Sequence, residues 1–149
     1  MKYTKDFWKF VILNMYKGKQ SMKNLSEILI SDDSRLLLEM ARVGDMDNKL
    51  AIYIRSNDPR NIPHFHIVDQ ATLGNEFHTC IKIGVAEYFH HTGKENILNT
   101  KQKKSLMKFF SKSDKWGDNY WDIVLQEWNR NNSKIEVDRK LKIPNYLEL

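Results

Sequence analysis

Two histidines two positions apart, His64 and His66, lie in the run Pro63-His64-Phe65-His66, and a third, His78, precedes the single cysteine, Cys80, by the same spacing. Imidazole nitrogen and thiolate sulfur are donors that zinc accepts readily, so His64, His66, His78 and Cys80 are candidate metal ligands and zinc the candidate cofactor. The same imidazoles suit proton transfer, because a histidine pKa of about 6.5 populates both protonation states near neutrality. In that reading His64, His66 and His78 act as general acid and base while Arg55, Arg60 or Lys82 neutralises a phosphate, the chemistry of a nuclease or phosphodiesterase. A plainer account makes His64 and His66 structural, each donating a ring N–H to a loop carbonyl. Cys80 is a poor candidate nucleophile, since a lone cysteine on a strand is usually a small buried hydrophobe.

These readings depend on the elements that carry the residues. From Leu50 the apolar period is two, with Leu50, Ile52 and Ile54 on one side and Ala51, Tyr53 and Arg55 on the other, which predicts a half-buried strand. Ser56 to Asn61 is rich in turn formers. A second strand follows over Pro63–Val68, a loop with Gly74 over Gln70–Asn75, and a third strand over Phe77–Ile83. Side chains alternate faces along a strand, so His64 and His66 point together, away from Phe65 and Ile67. A register that sets apolar against apolar puts His64, His66, His78 and Cys80 on the second face, with Tyr53 and Arg55 beside them; a slip of one residue dissolves the group.

Around this meander the spacing predicts helices. Met1–Gln20 reads as one amphipathic helix, with residues 1–22 an N-terminal extension, and a second helical region starts near Leu25 and resumes over Leu36–Met40, with Gly44 to Asn48 as its break. Gly84–Leu98, which holds Glu87, Tyr88, His90 and His91, has no clear period. Asn99 or Thr100 caps a helix that runs to about Ser111, apolar at Leu106, Met107, Phe109 and Phe110 and otherwise basic. Tyr120, Trp121, Val124, Leu125 and Trp128 form the core stripe of a final helix. Ile143 to Tyr146 is expected to dock as an extended or coiled segment. The expected fold is therefore one α+β domain over residues 1–149, a three-stranded antiparallel meander packed against three to four helices.

The run Asn57-Asp58 followed by Pro63-His64-Phe65-His66, then a strand after a Gly-containing loop, resembles the DUF4160 family of small bacterial proteins over about Leu50 to Ile83. The resemblance implies a compact α+β fold. Because many members of that family are encoded beside a DUF2442 partner in toxin–antitoxin pairs, it also implies a mobile-element, phage or defence context.

Composition narrows the class. The 149 residues are 41% hydrophobic and 11% aromatic, enough for one core, and a single cysteine excludes an internal disulfide framework. No stretch reaches the length of about 20 apolar residues that spans a bilayer, so no membrane contact is expected and the expected location is cytoplasmic. The formal charge of +5 suits polyanions. Lys101, Lys104 and Lys108 on the penultimate helix, with Arg60 and Lys82, are the candidate nucleic-acid contacts, and exposed aromatics such as Trp116 are candidate companions. A small basic binding protein that contacts nucleic acid or a protein partner is the preferred expectation; the histidine-dependent nuclease, with or without zinc, is the alternative.

Overall fold

The computed structural model describes residues 40–56, 61–90, 93 and 95–149. The chain divides into two compact units, residues 1–40 and 41–149. Apart from Met40, the first unit lies outside the described residues, and with it the helices expected over Met1–Gln20 and from Leu25 onward.

The second unit is built on an antiparallel sheet of four strands in the order of the chain: β1 (Met40–Asp45), β2 (Leu50–Arg55), β3 (His64–Asp69) and β4 (His78–Lys82). The expected meander had three strands, and β1 is the addition. The sequence predicts a helical run that ends at Met40 and a break over Gly44–Asn48, yet both Met40 and Gly44 lie inside the strand. A Cβ there would come within 2.9 Å of Tyr120 Cε1 and 3.1 Å of Phe109 Cε1, so the glycine serves close packing rather than chain breaking. The turn that follows is held by Asp47, whose carboxylate accepts from the N–H groups of Lys49 (2.7 Å) and Leu50 (2.8 Å).

Two α-helices lie among the described residues, where three to four were expected for the whole chain: α1 (Thr100–Phe110) and α2 (Tyr120–Asn131). Asn99 caps α1 as expected, with a reciprocal bond from its own N–H to the Gln102 side chain. Asn119 does the same service for α2, accepting from Trp121 N at 3.0 Å. Leu106, Phe109 and Phe110 of α1 and Trp121, Val124, Leu125 and Trp128 of α2 form one core with Leu50, Ile52, Ile54, Phe65, Ile67, Ile81 and Ile83 from one face of the sheet.

The C-terminal tail closes this layer. Trp121 and Trp128 donate their indole N–H groups to Leu141 O and Ile135 O, each at 2.7 Å, and the Asn132 amide donates to Arg55 O at 2.9 Å. A short 3₁₀ turn, Tyr146–Glu148, seats Tyr146 in the core, where its hydroxyl donates to Lys82 O at 2.8 Å. Burial raises the Tyr146 pKa far above the phenol range, so this donor is permanent at any ordinary pH. No helix among the described residues is long and apolar enough to cross a membrane.

Candidate metal centre

Hydrogen-bonded pairing fixes which residues share a face. β2 and β3 pair through Ile52↔Ile67 and Tyr53↔His66, and β3 and β4 through Phe65↔Ile81, His66↔Cys80, Val68↔His78 and His64↔Lys82. Apolar side chains therefore meet on the helix-covered face, and His64, His66, His78, Cys80, Lys82, Tyr53 and Arg55 all fall on the other, as the alternation predicted. Two pairs of candidate donors, each spaced i, i+2, thus stand on adjacent strands: His64-Phe65-His66 and His78-Thr79-Cys80.

The loop between those strands holds the register. Asp69 ends β3 and its carboxylate accepts from Thr72 N (2.7 Å), Thr72 Oγ1 (2.5 Å), Gly74 N (3.0 Å) and Phe77 N (3.1 Å). That cradle supports the left-handed backbone at Leu73 and Gly74, with φ of 53° and 96°. Burial opposes ionisation of Asp69, but the bonds from Thr72, Phe77 and Gly74 outweigh it and hold its pKa below the ordinary carboxylate value.

On the second face the donors converge. His66 Nδ1 lies 2.9 Å from His78 Nε2 and 3.2 Å from Cys80 Sγ, and Cys80 Sγ lies 3.5 Å from His78 Nε2. The rings of His66 and His78 meet edge to edge in nearly parallel planes, with centroids 5.2 Å apart and planes 4° apart. His64 stands beside them: the ligand atoms of His64, His66 and Cys80 all lie within 4.8 Å of one another. His64 Nδ1 is 2.7 Å from Ile62 O, and because a carbonyl only accepts, that nitrogen carries the proton and Nε2 carries the lone pair. His64 and Cys80 have no exposed surface and His66 has 2%. The expectation of a ring N–H bonded to a loop carbonyl is thus met at His64, while His66 is engaged with its neighbours on the sheet.

The segment after β4 brings two further residues to the cluster, Phe89 and Glu95. Its backbone returns along the β4 edge, with Lys82 N to Glu87 O at 2.9 Å, Phe89 N to Cys80 O at 2.8 Å and Asn96 N to His78 O at 2.8 Å. Phe89 consequently packs its ring on His64, centroids 4.7 Å apart. Glu95 is brought in with its side chain fully buried, 3.7 Å from His90 Nδ1, and its charge acts on His78. Burial lowers the His78 pKa, the nearby His64 lowers it further, and Glu95 opposes both, so His78 is a neutral ring at neutral pH. Ala86 and Tyr88 join the core side, but the segment has no clear period, so Phe89 carries no sequence signal. Glu95 has no sequence signal at all.

The remaining expected site residues separate. Lys82 is paired to Glu87, Nζ to Oε1 at 2.8 Å. Lys101, Lys104 and Lys108 lie exposed on α1, which packs on the opposite face of the sheet from the histidines. Arg60, Asn57, Asp58 and His91 are outside the described residues. No family model, curated protein or solved structure matches this chain, so the site is read from its own geometry.

Proposed function

We propose that this protein is a zinc-binding protein whose ion is held by His66 Nδ1, His78 Nε2 and Cys80 Sγ, with His64 as the fourth ligand. The observation that carries the reading is the triangle of 2.9, 3.2 and 3.5 Å between the first three atoms. A tetrahedral zinc with bonds of about 2.1 Å to nitrogen and 2.3 Å to sulfur sets its ligands about 3.4 Å apart for two nitrogens and about 3.6 Å apart for nitrogen and sulfur. Opening the cluster by a few tenths of an ångström meets that requirement. The tautomer of His64 also fits, because a ligating imidazole ordinarily donates its other N–H to a carbonyl or carboxylate, here Ile62 O. The Pro63-His64-Phe65-His66 run that carries the resemblance to DUF4160 then supplies two of four ligands.

Burial favours a closed, structure-holding centre over a hydrolytic one. His64, His66 and Cys80 are buried and His78 keeps only partial exposure, which leaves a phosphodiester backbone little approach to the cluster, and a fourth protein ligand leaves no open position for water.

Metal analysis of the full chain, purified without chelator, tests this, together with titration of the stripped protein with cobalt(II), which reports thiolate ligation by a sulfur-to-metal charge-transfer band. About one ion per chain and a charge-transfer band that Cys80→Ser abolishes are expected. A folded protein that takes up neither zinc nor cobalt, or a cobalt spectrum indifferent to Cys80→Ser, defeats the reading.

A further inference from the structure

Between Leu98 and Ser113 the sequence has five lysines and no acid. Lys103 turns inward to the main-chain oxygen of Leu149, while Lys101, Lys104, Lys108 and Lys112 are exposed. Lys101, Lys104 and Lys108 are spaced i, i+3 and i+7, so they share one face of α1 over about 10 Å of helix. None of these four enters an ion pair among the described residues. The first turn of α1 has no acidic residue and two lysines, although the positive end of the helix dipole favours anions there. At that end stability alone would favour the opposite sign, whereas Lys108, in the last turn, stands where the dipole favours a cation.

A second feature lies at the end of this row. Trp116 is 77% exposed, the most exposed large apolar residue among those described. It is displayed on a built tip: Ser113 bridges to Asn119, and the Asp114 carboxylate accepts from Trp116 N and Asp118 N, each at 2.9 Å. Lys115 Nζ sits over one face of the indole, 4.9 Å from its centre. The tip sets Asp114 and Asp118 against Lys115, so it draws no phosphate and offers the indole to an uncharged group.

We infer that α1 and the Trp116 tip form a binding surface for single-stranded nucleic acid, with the sugar–phosphate backbone along Lys101, Lys104, Lys108 and Lys112 and a base stacked on Trp116. Cationic rows that track phosphates, joined to aromatic faces that stack bases, are how sequence-tolerant single-strand binders work. A duplex hides its base faces, so the exposed indole selects the single strand. The surface is independent of the imidazole–thiol cluster, and its failure would leave the zinc reading untouched.

The test is fluorescence anisotropy of a labelled oligothymidylate with the full chain, from about 20 to about 200 mM salt. Three to four neutralised phosphates predict a slope of log K on log salt between about −2 and −3. Replacing Lys101, Lys104 and Lys108 together by Gln is expected to flatten that slope by about 2 units. Trp116→Ala is expected to weaken binding about tenfold with the slope unchanged. Circular dichroism checks that both variants remain folded. No binding at the lowest salt, wild-type binding by the lysine variant, or no effect of Trp116→Ala overturns the inference. Tighter binding of duplex DNA or heparin than of the single strand also overturns it, as unselective attraction for polyanions.

Discussion

The two faces of the sheet use polar residues in opposite ways. On one, His64, His66 and Cys80 are buried beside the half-buried His78, and each buried donor or acceptor left unmatched there would cost about 1–3 kcal/mol. On the far side of the helices laid over the other face, the lysines of α1 stand in water and cost the fold almost nothing. The cluster must therefore be satisfied by its neighbours or by an ion, and its geometry is tightly determined. The lysine row is under no such demand, so its arrangement carries information only through its company: the missing acids, the adverse helix end and the displayed tryptophan.

This contrast can be broken most sharply at the cluster. Zinc at a thousandfold excess over its dissociation constant is expected to stabilise the chain by about 4 kcal/mol, read from denaturant melts, and Cys80→Ser or His78→Ala should remove that increment. If zinc shifts the midpoint of the Cys80→Ser variant equally, the cluster is not where it binds. Next in size is Asp69→Ala, which strips a four-bond cradle from the loop joining β3 and β4. A loss of about 3 kcal/mol is expected, seen as a lower midpoint in urea.

Asp69 also sets a pH dependence with a definite sign. Its folded pKa is depressed below 3.8, so its contribution is complete above that value and is lost as the pH falls through the ordinary carboxylate range toward the lower folded value. Acid melts of wild type and Asp69→Asn should accordingly converge at low pH; curves that stay parallel would remove Asp69 as the cause.

A smaller effect is expected at Glu95. It is a buried carboxylate whose charge acts on His78, and on the zinc proposal Glu95→Gln should weaken zinc about tenfold while leaving the cobalt–thiolate band in place. Loss of the band would make Glu95 a ligand instead. The smallest effect belongs to the lysine row: Lys101→Gln, Lys104→Gln and Lys108→Gln should each change stability by no more than about 0.5 kcal/mol. A larger loss would show that these side chains serve the fold and would dissolve the contrast.

Much of this was readable in advance. The period of two over Leu50–Arg55 and over the histidine strand placed three of the four strands, the Asn99 capping signal placed α1, and the spacing of Trp121 to Trp128 placed α2. The shared face of His64, His66, His78 and Cys80 followed from alternation once apolar residues were set opposite one another. β1 escaped because its glycine, in sequence, looks like a break, and its real cause is the approach of Tyr120 and Phe109, which lie some 65 residues or more away in the chain. Phe89 and Glu95 escaped because they reach the cluster only through backbone bonds along the β4 edge.

What the residues determine by themselves is local: which side chains share a strand face, where helices start, and that one helix is basic. Alternation and capping act over a few residues and need no partner. Tertiary structure alone decided that His66, His78 and Cys80 meet within hydrogen-bonding distance, that the buried Glu95 acts on His78, and that Trp116 is displayed on a hydrogen-bonded tip after α1. Each of these depends on long-range pairing, on the Asp69 cradle that holds the register, or on a loop closed by its own hydrogen bonds, and such contacts are paid for by the burial of the whole core rather than by any local preference.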